Sequence, residues 1–217
     1  MSEFKVEWVA EHLGHPFPKV IIDAGTFDGS DAVAFKDVFP DARVLAIEAC
    51  PDNFVVMKGR GWARSAGVEI HHAALCDFDG EVPFFSNSDT HFPGHFGQSG
   101  SVLTPTNAID NKWRGGMGHI RFRGPRMVPA RRLDTFCAAE GITDIDLLHM
   151  DVQGAESMVL DGMGELRPKM IFLEIDEVKE TGGYVGCVPK QELVARLTSR
   201  GYVNKWESAT DALYVHD

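Results

Sequence analysis

The amino-acid sequence predicts a three-layer α/β sandwich built on a mostly parallel sheet. Short apolar, β-branched runs such as Val20–Ile22 recur along the chain, which is typical of strands that are buried on both faces. Segments with helical spacing of apolar residues alternate with these runs, as expected when helices cover both sides of a sheet. Two last strands, at residues 203–206 and 212–215, close the chain. We therefore expect a single domain over residues 1–217, with an antiparallel strand at its carboxyl end.

The individual elements follow in chain order from the same patterns. An amphipathic start that includes Trp8 and Leu13 predicts a short helix, which two prolines separate from the first strand. The pair Asp79-Gly80, followed by Val82 and Phe84, predicts a small hairpin. The remaining predicted strands are 43–47, 68–72, 127–130, 145–150 and 170–173, and the remaining predicted helices are 31–39, 51–61, 132–140, 154–163 and 191–200.

Composition and charge agree with a single globular domain that has a buried core. The chain has 217 residues and 44% hydrophobic content, enough to bury a sizeable core. It has no run of about 18 apolar residues, the length that a membrane span requires. Its acidic start lacks the features of a signal peptide, and its four cysteines form no C-x-x-C pair, so we expect a cytoplasmic protein with reduced thiols. The net charge of −11 argues against broad binding to nucleic acid or to an anionic membrane.

The most informative stretch is KVIIDAGTFDGS, residues 19–30, in which a buried strand runs into a glycine-rich turn. Gly25 and Gly29 allow the backbone to turn tightly and to approach a ligand closely. Asp23 stands where a dinucleotide fingerprint has its first glycine, and a carboxylate there disfavours a pyrophosphate and favours a cationic ligand. An ordinary strand-to-helix turn is the alternative interpretation of this motif.

A second carboxylate follows at the end of the next predicted strand. Glu48 comes after RVLAI, about twenty residues beyond the glycines, where a carboxylate can bind the two hydroxyls of a ribose. One acid near a positive group and another on a ribose describe S-adenosylmethionine better than NAD. The alternative is that Glu48 is a solvated strand end, but the order and interval of the two motifs favour a nucleoside site.

Several motifs together resemble the FkbM family of S-adenosylmethionine-dependent methyltransferases. They are VIIDAGTFDGS, LAIEACPDNF, HHAALCDFDGEV, GQSGSVL, RRLDTF, LLHMDVQGAE and MIFLEID, which extend from residue 20 to residue 176. LLHMDVQGAE is the most specific, although His149 stands where the family pattern has lysine and Gln153 where it has glutamate. The resemblance implies a Rossmann-like class I methyltransferase fold and O-methylation of a small metabolite or sugar. It implies cofactor contacts from Asp23, Gly25, Thr26, Phe27, Asp28, Gly29, Ser30, Glu48, Ala49, Ala74, Leu75, Ser101 and Asp151.

Three residues near the ends of the predicted strands are catalytic candidates. Transfer of a methyl group to a hydroxyl needs an aligned approach and a group that takes the proton. Open α/β sheets place ligands at the carboxyl ends of their strands, where the sequence has His149, Asp151 and Glu156. Histidine titrates near neutrality, but a histidine in a buried run is often a hydrogen-bonded core residue. For the two acids, the alternative role is capping of the helix that follows.

The same acids suggest a hypothesis about a metal ion. Carboxylate oxygens are the usual protein ligands of Mg²⁺, and the first ligands to test would be Asp151, Glu174 and Asp176. Nothing in the local sequence fixes an octahedral set.

Between about residues 86 and 126 the periodic pattern gives way to Gly, Ser, Asn, Pro and His. A connection of this length is usually a lid or a substrate-binding element, so we expect it to cover the site. Its second half contains no acid between Asp110 and Asp134. This segregation favours an anionic acceptor, and a solvated basic face is the alternative. The basic residues in question are Lys112, Arg114, Arg121, Arg123, Arg126, Arg131 and Arg132.

Two other functions stay open at this point. An RNA methyltransferase could use the arginine-rich stretch, although no N-P-P-Y-like motif for methylating base amino groups is present. A noncatalytic module that keeps a cofactor pocket is conceivable because His149 and Gln153 depart from the family pattern.

Overall fold

The computed structural model describes residues 3–89, 97–106, 120–175 and 183–216. The helices are α1 Glu7–Leu13, α2 Ser30–Val38, α3 Pro51–Arg60, α4 Trp62–Ser65, α5 Leu133–Ala139, α6 Glu156–Asp161 and α7 Lys190–Ser199. The strands are β1 Val20–Ala24, β2 Arg43–Glu48, β3 Glu69–His72, β4 Ala74–Cys76, β5 Gly80–Phe84, β6 Asn87–Asp89, β7 Thr104–Pro105, β8 Ile120–Phe122, β9 Arg126–Arg132, β10 Leu147–Met150, β11 Met170–Glu174, β12 Tyr184–Val185, β13 Tyr202–Glu207 and β14 Asp211–His216. Among the described helices, none is long and apolar enough to cross a bilayer.

The main sheet confirms the predicted topology. Its seven strands lie in the order β13-β14-β11-β10-β1-β2-β3. The pairs from β11 to β3 are parallel, whereas β14 runs antiparallel to β11 and β13 runs antiparallel to β14. The strand order reverses at β1, which pairs with β2 on one side and with β10 on the other. Open α/β sheets bind their ligands outside the carboxyl ends of the strands at such a reversal.

Two apolar layers cover the sheet and make it the middle of a sandwich. On one face, Ile21 of β1 and Leu147 of β10 pack with residues of α1 to α4, including Phe35. On the other face, Ile22 and Leu148 pack with residues of α5 to α7. Adjacent strand residues therefore point to opposite cores, which explains why the parallel strands read as continuous apolar runs.

The predicted hairpin around Asp79-Gly80 is wrong. β4 and β5 do not pair with each other, because β9 lies between them, parallel to β4 and antiparallel to β5. The apolar residues that suggested a hairpin, such as Val82, instead pack with Val128 and Ala130 of β9 in a small third core. β9 lies about fifty residues away in the chain and pairs with both strands, and these apolar contacts stabilise that arrangement.

Part of the predicted loop at 86–126 forms short strands. β6 pairs with β8, and β7 pairs with β12, both antiparallel. Ser101 also bridges to Phe85. We call residues 97–106 and 183–185 the cap, because they lie together over the strand ends described below. The rest of this predicted loop, at 90–96 and 107–119, lies outside the described residues.

Candidate active site

The glycine-rich turn after β1 brings backbone against backbone. Gly25 has φ 81°, and a Cβ atom placed there would lie 1.9 Å from the carbonyl oxygen of Asp151. No side chain fits that space. Phe27 also has positive φ, 55°, a costly conformation for a residue with a side chain and one that is commonly found at functional sites. The turn is thus held open in a shape that only glycine at position 25 permits.

Glu48 closes one side of this turn from the end of β2. Its side chain is buried, with the residue 4% exposed. One carboxylate oxygen accepts the Phe27 N–H at 2.7 Å and the other accepts the Cys50 N–H at 2.6 Å. Burial disfavours the charge and raises the pKa of Glu48 to about 8, although these hydrogen bonds oppose the shift. The carboxyl group is therefore fixed in orientation and still has lone pairs for a ligand.

Two adjoining cavities open at these strand ends. The first lies beside the turn and Glu48 and has a largely apolar wall; its lining residues are Ala24, Gly25, Phe27, Ile47, Glu48, Ala49, Cys50, Asn53, Ala73, Ala74, Leu75, Phe84, Gly97, Gln98, Gly100, Val102, Asp151, Val152 and Ala155. The second is rich in carboxylates; its lining residues are Asp23, Gly25, Thr26, Phe27, Ser30, Asp31, Gln98, His149, Met150, Asp151, Phe172, Glu174 and Asp211. Asp151 lies on the wall of both cavities.

A buried pair of titratable side chains forms part of the second cavity. Asp23 and His149 are register partners on neighbouring strands, and they are 1% and 4% exposed. The His149 Nδ1–H donates to Asp23 Oδ1 at 2.8 Å, Thr26 Oγ1 donates to Asp23 Oδ2 at 2.5 Å, and the imidazole stacks on Phe172. Burial lowers the pKa of His149, but the hydrogen bond and negative charge of Asp23, with Asp31 and Asp151, outweigh it, so the pKa is raised. His149 therefore stays protonated to a higher pH than a free histidine does.

The ends of β10 and β11 are joined by one amide. Gln153 Nε2 donates to Asp151 Oδ1 at 2.5 Å and to Glu174 Oε2 at 2.8 Å. Gln153 also has positive φ, 53°. Its backbone carbonyl accepts the Ser101 hydroxyl at 2.9 Å, and Oε1 lies 3.2 Å from the Tyr184 hydroxyl. Gln153, one of the two positions at which this chain departs from the family pattern, is therefore a centre of contacts.

Most of the sequence-predicted site residues meet at the two cavities, and four do not line either one. Ser101 uses its hydroxyl on the Gln153 carbonyl. The Asp28 carboxylate accepts the Ser30 N–H at 3.0 Å, and Glu156 accepts the Gly154 N–H at 3.1 Å. Gly29 supports the turn against Met57. The predicted residues that do line a cavity are Asp23, Gly25, Thr26, Phe27, Ser30, Glu48, Ala49, Ala74, Leu75, His149 and Asp151.

Sequence reasoning missed several wall residues. Cys50 and Asn53 follow Glu48 in LAIEACPDNF, and their closeness to a strand end was an available signal. Asp31 lines the second cavity from the first turn of α2. Acidic residues are common in the first turn of any helix because they interact favourably with the helix dipole, so this one gave no signal of a site. Asp211 reaches the same cavity from the antiparallel β14, and nothing in the local sequence indicates that.

The magnesium hypothesis gains no support. Asp151 and Glu174 face one amide of Gln153, and Asp176 lies outside the described residues. In the part of the chain that the structure describes, the one group of side chains spaced like metal ligands is Glu69, His71 and Glu140. It is not at this site, and Arg43 already bonds both of its carboxylates.

Two of the arginines predicted to bind an anionic acceptor pair with carboxylates of this chain. Arg126 makes a bidentate contact with Asp52 at 3.0 and 2.6 Å. Arg132 makes one with Asp134 at 2.9 and 2.6 Å. The other predicted acceptor contacts are Arg123 and Arg131 in the described part, and Lys112, Arg114 and the side chain of Arg121 outside it.

The strand order, the glycine turn and the strand-end acids define a class I methyltransferase fold. The chain belongs to the FkbM methyltransferase family, since the model of the Methyltransferase FkbM domain matches residues 23–203. It is therefore a methyltransferase that uses S-adenosylmethionine.

Similar proteins agree with this assignment. The chain is 33% identical over 189 residues to the 2-O-methyltransferase NoeI of Sinorhizobium fredii, covering 86% of this chain and 74% of NoeI. It is 27% identical over 210 residues to the methyltransferase sdnD of Sordaria araneosa, covering 89% of this chain and 76% of sdnD. Among solved structures, a putative O-methyltransferase from Klebsiella pneumoniae shares the fold, with a TM-score of 0.51 at 12% identity and coverage of 100% of this chain and 82% of that one.

Proposed function

We propose that this protein transfers the methyl group of S-adenosylmethionine to a hydroxyl of a small metabolite or sugar. The relative NoeI, which by its name is a 2-O-methyltransferase, supports methylation of oxygen. The observation that carries the proposal is the position of Asp151 between the two cavities. Donor and acceptor must meet in line for methyl transfer, and a residue that lines both cavities can bring its carboxylate to the attacking hydroxyl.

The first cavity fits the adenosine part of the donor. Glu48 offers oriented oxygens to two ribose hydroxyls, and Ala74 and Leu75 lie on the same wall as an apolar surface for the base. Gly25 leaves the backbone bare at the point of closest approach. S-adenosylmethionine supplies an activated methyl group on a positive sulfur when it is bound. The carboxylates of the second cavity suit that charge.

The three catalytic candidates receive different roles in this proposal. Asp151 contacts the acceptor hydroxyl and takes its proton as the oxygen attacks. His149 acts as a positioning residue, because its Nδ1–H orients the buried Asp23 carboxylate beside the donor. Glu156 holds the turn before α6 through the Gly154 N–H. Asp28, Gly29 and Ser101 would support the cofactor site through the backbone contacts described above.

The acceptor is best sought among uncharged hydroxyl compounds. A carboxylate-rich second cavity disfavours an anion next to the reacting oxygen. An anionic group farther from the reaction could still reach Arg123, which is exposed. We propose the cytoplasm, where thiols stay reduced, as the compartment of this reaction.

The test is a screen for transfer of labelled methyl groups from S-adenosylmethionine to neutral sugars, sugar phosphates, small alcohols and RNA. We expect label on a neutral sugar or alcohol. Asp151→Asn should then lower kcat by about 10²- to 10⁴-fold, because the proton acceptor is lost. The Kd of S-adenosylhomocysteine should change far less than kcat, because asparagine keeps the size of the side chain and an oxygen that can accept from Gln153 Nε2.

Asp144→Asn is the matched control, because Asp144 is exposed at the opposite end of the same strand region. It should keep full activity. Label that appears on RNA alone, or an Asp151→Asn variant that keeps wild-type turnover on the hydroxyl acceptor, would contradict the proposal.

A further inference from the structure

Gln153 contacts both the strand-end acids and the cap. Its two amide N–H groups point at carboxylates from adjacent strands, Asp151 and Glu174. The orientation of the amide follows from charge, since its oxygen in that place would face two carboxylates. One neutral side chain thereby satisfies two acids that belong to different strands, and it holds them at the edge of the second cavity.

Both oxygen atoms of Gln153 face the cap. The Ser101 hydroxyl donates to the Gln153 backbone carbonyl. The Tyr184 hydroxyl donates to the Ser99 carbonyl at 2.8 Å and lies 3.2 Å from Gln153 Oε1. Ser99, Ser101 and Tyr184 are buried, so these bonds are protected from competing water. The cap residues Gly97, Gln98 and Gly100 in turn line the first cavity.

The backbone at this point is strained in a way that keeps these contacts together. Gln153 has φ 53°, which costs a non-glycine residue free energy and persists only where surrounding contacts enforce it. The next residue, Gly154, has φ 95°, and a Cβ there would lie 3.2 Å from the Tyr184 ring. The turn therefore sits directly against the cap.

We propose that Gln153 is a positioning residue that ties the cap to the Asp151 and Glu174 carboxylates, so that closure of the cofactor cavity and orientation of the acids are coupled. The proposal rests on the proposed function in one respect, the binding of the cofactor in the first cavity. A glutamate at this position, as the family pattern has, would place a third carboxylate beside the other two.

The test compares Gln153→Met, which removes the side-chain hydrogen bonds at similar size, with Gln153→Glu, which removes the donors and adds charge. Amide exchange measured by mass spectrometry reports on the cap, and calorimetry with S-adenosylhomocysteine reports on the cavity. For Gln153→Met we expect exchange in residues 98–103 and 184–185 to accelerate about tenfold and the Kd to rise at least about fivefold, with exchange in β1 and β2 unchanged.

For Gln153→Glu the defect should depend on pH. At pH 8 the introduced carboxylate is charged and donates nothing, whereas at pH 5.5 its protonated fraction regains a donor, so the ratio of its Kd to that of the wild type should fall as pH falls. A role in filling space would give the same ratio at both values. Gln191→Glu makes the identical change on the exposed side of α7 and should behave as the wild type.

Tyr184→Phe provides a milder variant that removes only a hydroxyl, and it should accelerate cap exchange by about threefold. Wild-type exchange in the cap of Gln153→Met, together with a Kd within twofold, would overturn the proposal. If the wild-type protein itself does not bind S-adenosylhomocysteine, the proposed cofactor site is wrong. Amide exchange in the cap then still decides whether Gln153 holds the cap.

Discussion

Binding of the nucleoside should depend on the charge of Glu48. The carboxyl group is buried with a pKa raised to about 8, so at pH 6 only about 1% of it is ionised, and at pH 8 about half is. Ribose hydroxyls donate more strongly to the ionised form. The affinity for S-adenosylhomocysteine should therefore increase about fiftyfold between pH 6 and pH 8 and level off above that range.

The matching variant is Glu48→Gln. In the wild type, the Glu48 carboxylate accepts the backbone N–H groups of Phe27 and Cys50. The glutamine amide has no charge, and its NH₂ group would face one of these two N–H groups. The variant would lose the charge-assisted hydrogen bonds from the two ribose hydroxyls. At about 1.5 kcal/mol each, their loss corresponds to about 150-fold weaker binding of S-adenosylhomocysteine at pH 8. Calorimetry at several pH values measures both effects. A wild-type affinity that stays flat from pH 6 to 8, or a Glu48→Gln variant that binds within threefold of wild type at pH 8, would refute this reasoning.

Three further predictions concern stability. Gly25→Ala should unfold the protein or lower its Tm sharply, because the new Cβ would lie 1.9 Å from a carbonyl oxygen. Gly141→Ala is the control: Gly141 has φ 68° and nothing within 4 Å, so this change should cost only about 1 kcal/mol. Equal losses of stability in the two variants would contradict the close approach at Gly25. The pKa of Glu48 is raised in the folded state to about 8 from 4.5, so its contribution to stability is complete below pH 4.5 and is lost as pH rises through 8, and Glu48→Gln should flatten that decline in urea unfolding curves. His149→Leu leaves the carboxylate of Asp23 buried without its imidazole partner and should lower the free energy of unfolding by about 3–5 kcal/mol; a loss under about 1 kcal/mol would show that the pair does not matter.

The parts of the fold that the sequence predicted are those set by local patterns. The strand before Gly25 and the strand before Glu48 show apolar runs followed by a turn or an acid, and both elements and their side-by-side order are as expected. The antiparallel carboxyl end is also confirmed. The strands themselves depend on period and composition within ten residues, where sequence signals are strongest.

The parts that the sequence did not predict depend on distant pairing. β9 inserts between β4 and β5 from about fifty residues away, and a local Asp-Gly signal gives no indication of that. Asp211 enters the second cavity only because β14 turns back antiparallel beside β11. The contacts of Gln153 with Ser101 and Tyr184 likewise join segments that are more than thirty residues from it.

The site itself divides in the same way. Much of the wall of the first cavity was predictable, because two short motifs around Gly25 and Glu48 line it. The roles of His149 and Glu156 were open, because strand register decides that the histidine meets Asp23, and local turn geometry decides that the glutamate meets Gly154. Neither is visible in a one-dimensional pattern.

The most direct test of the cofactor site is a crystal structure of the protein with S-adenosylhomocysteine. Our account predicts that the ribose hydroxyls bond the Glu48 carboxylate, that the base lies against Leu75, and that the sulfur points toward Asp151. A nucleoside bound elsewhere on the protein, or one in the first cavity with its ribose turned away from Glu48, would contradict it.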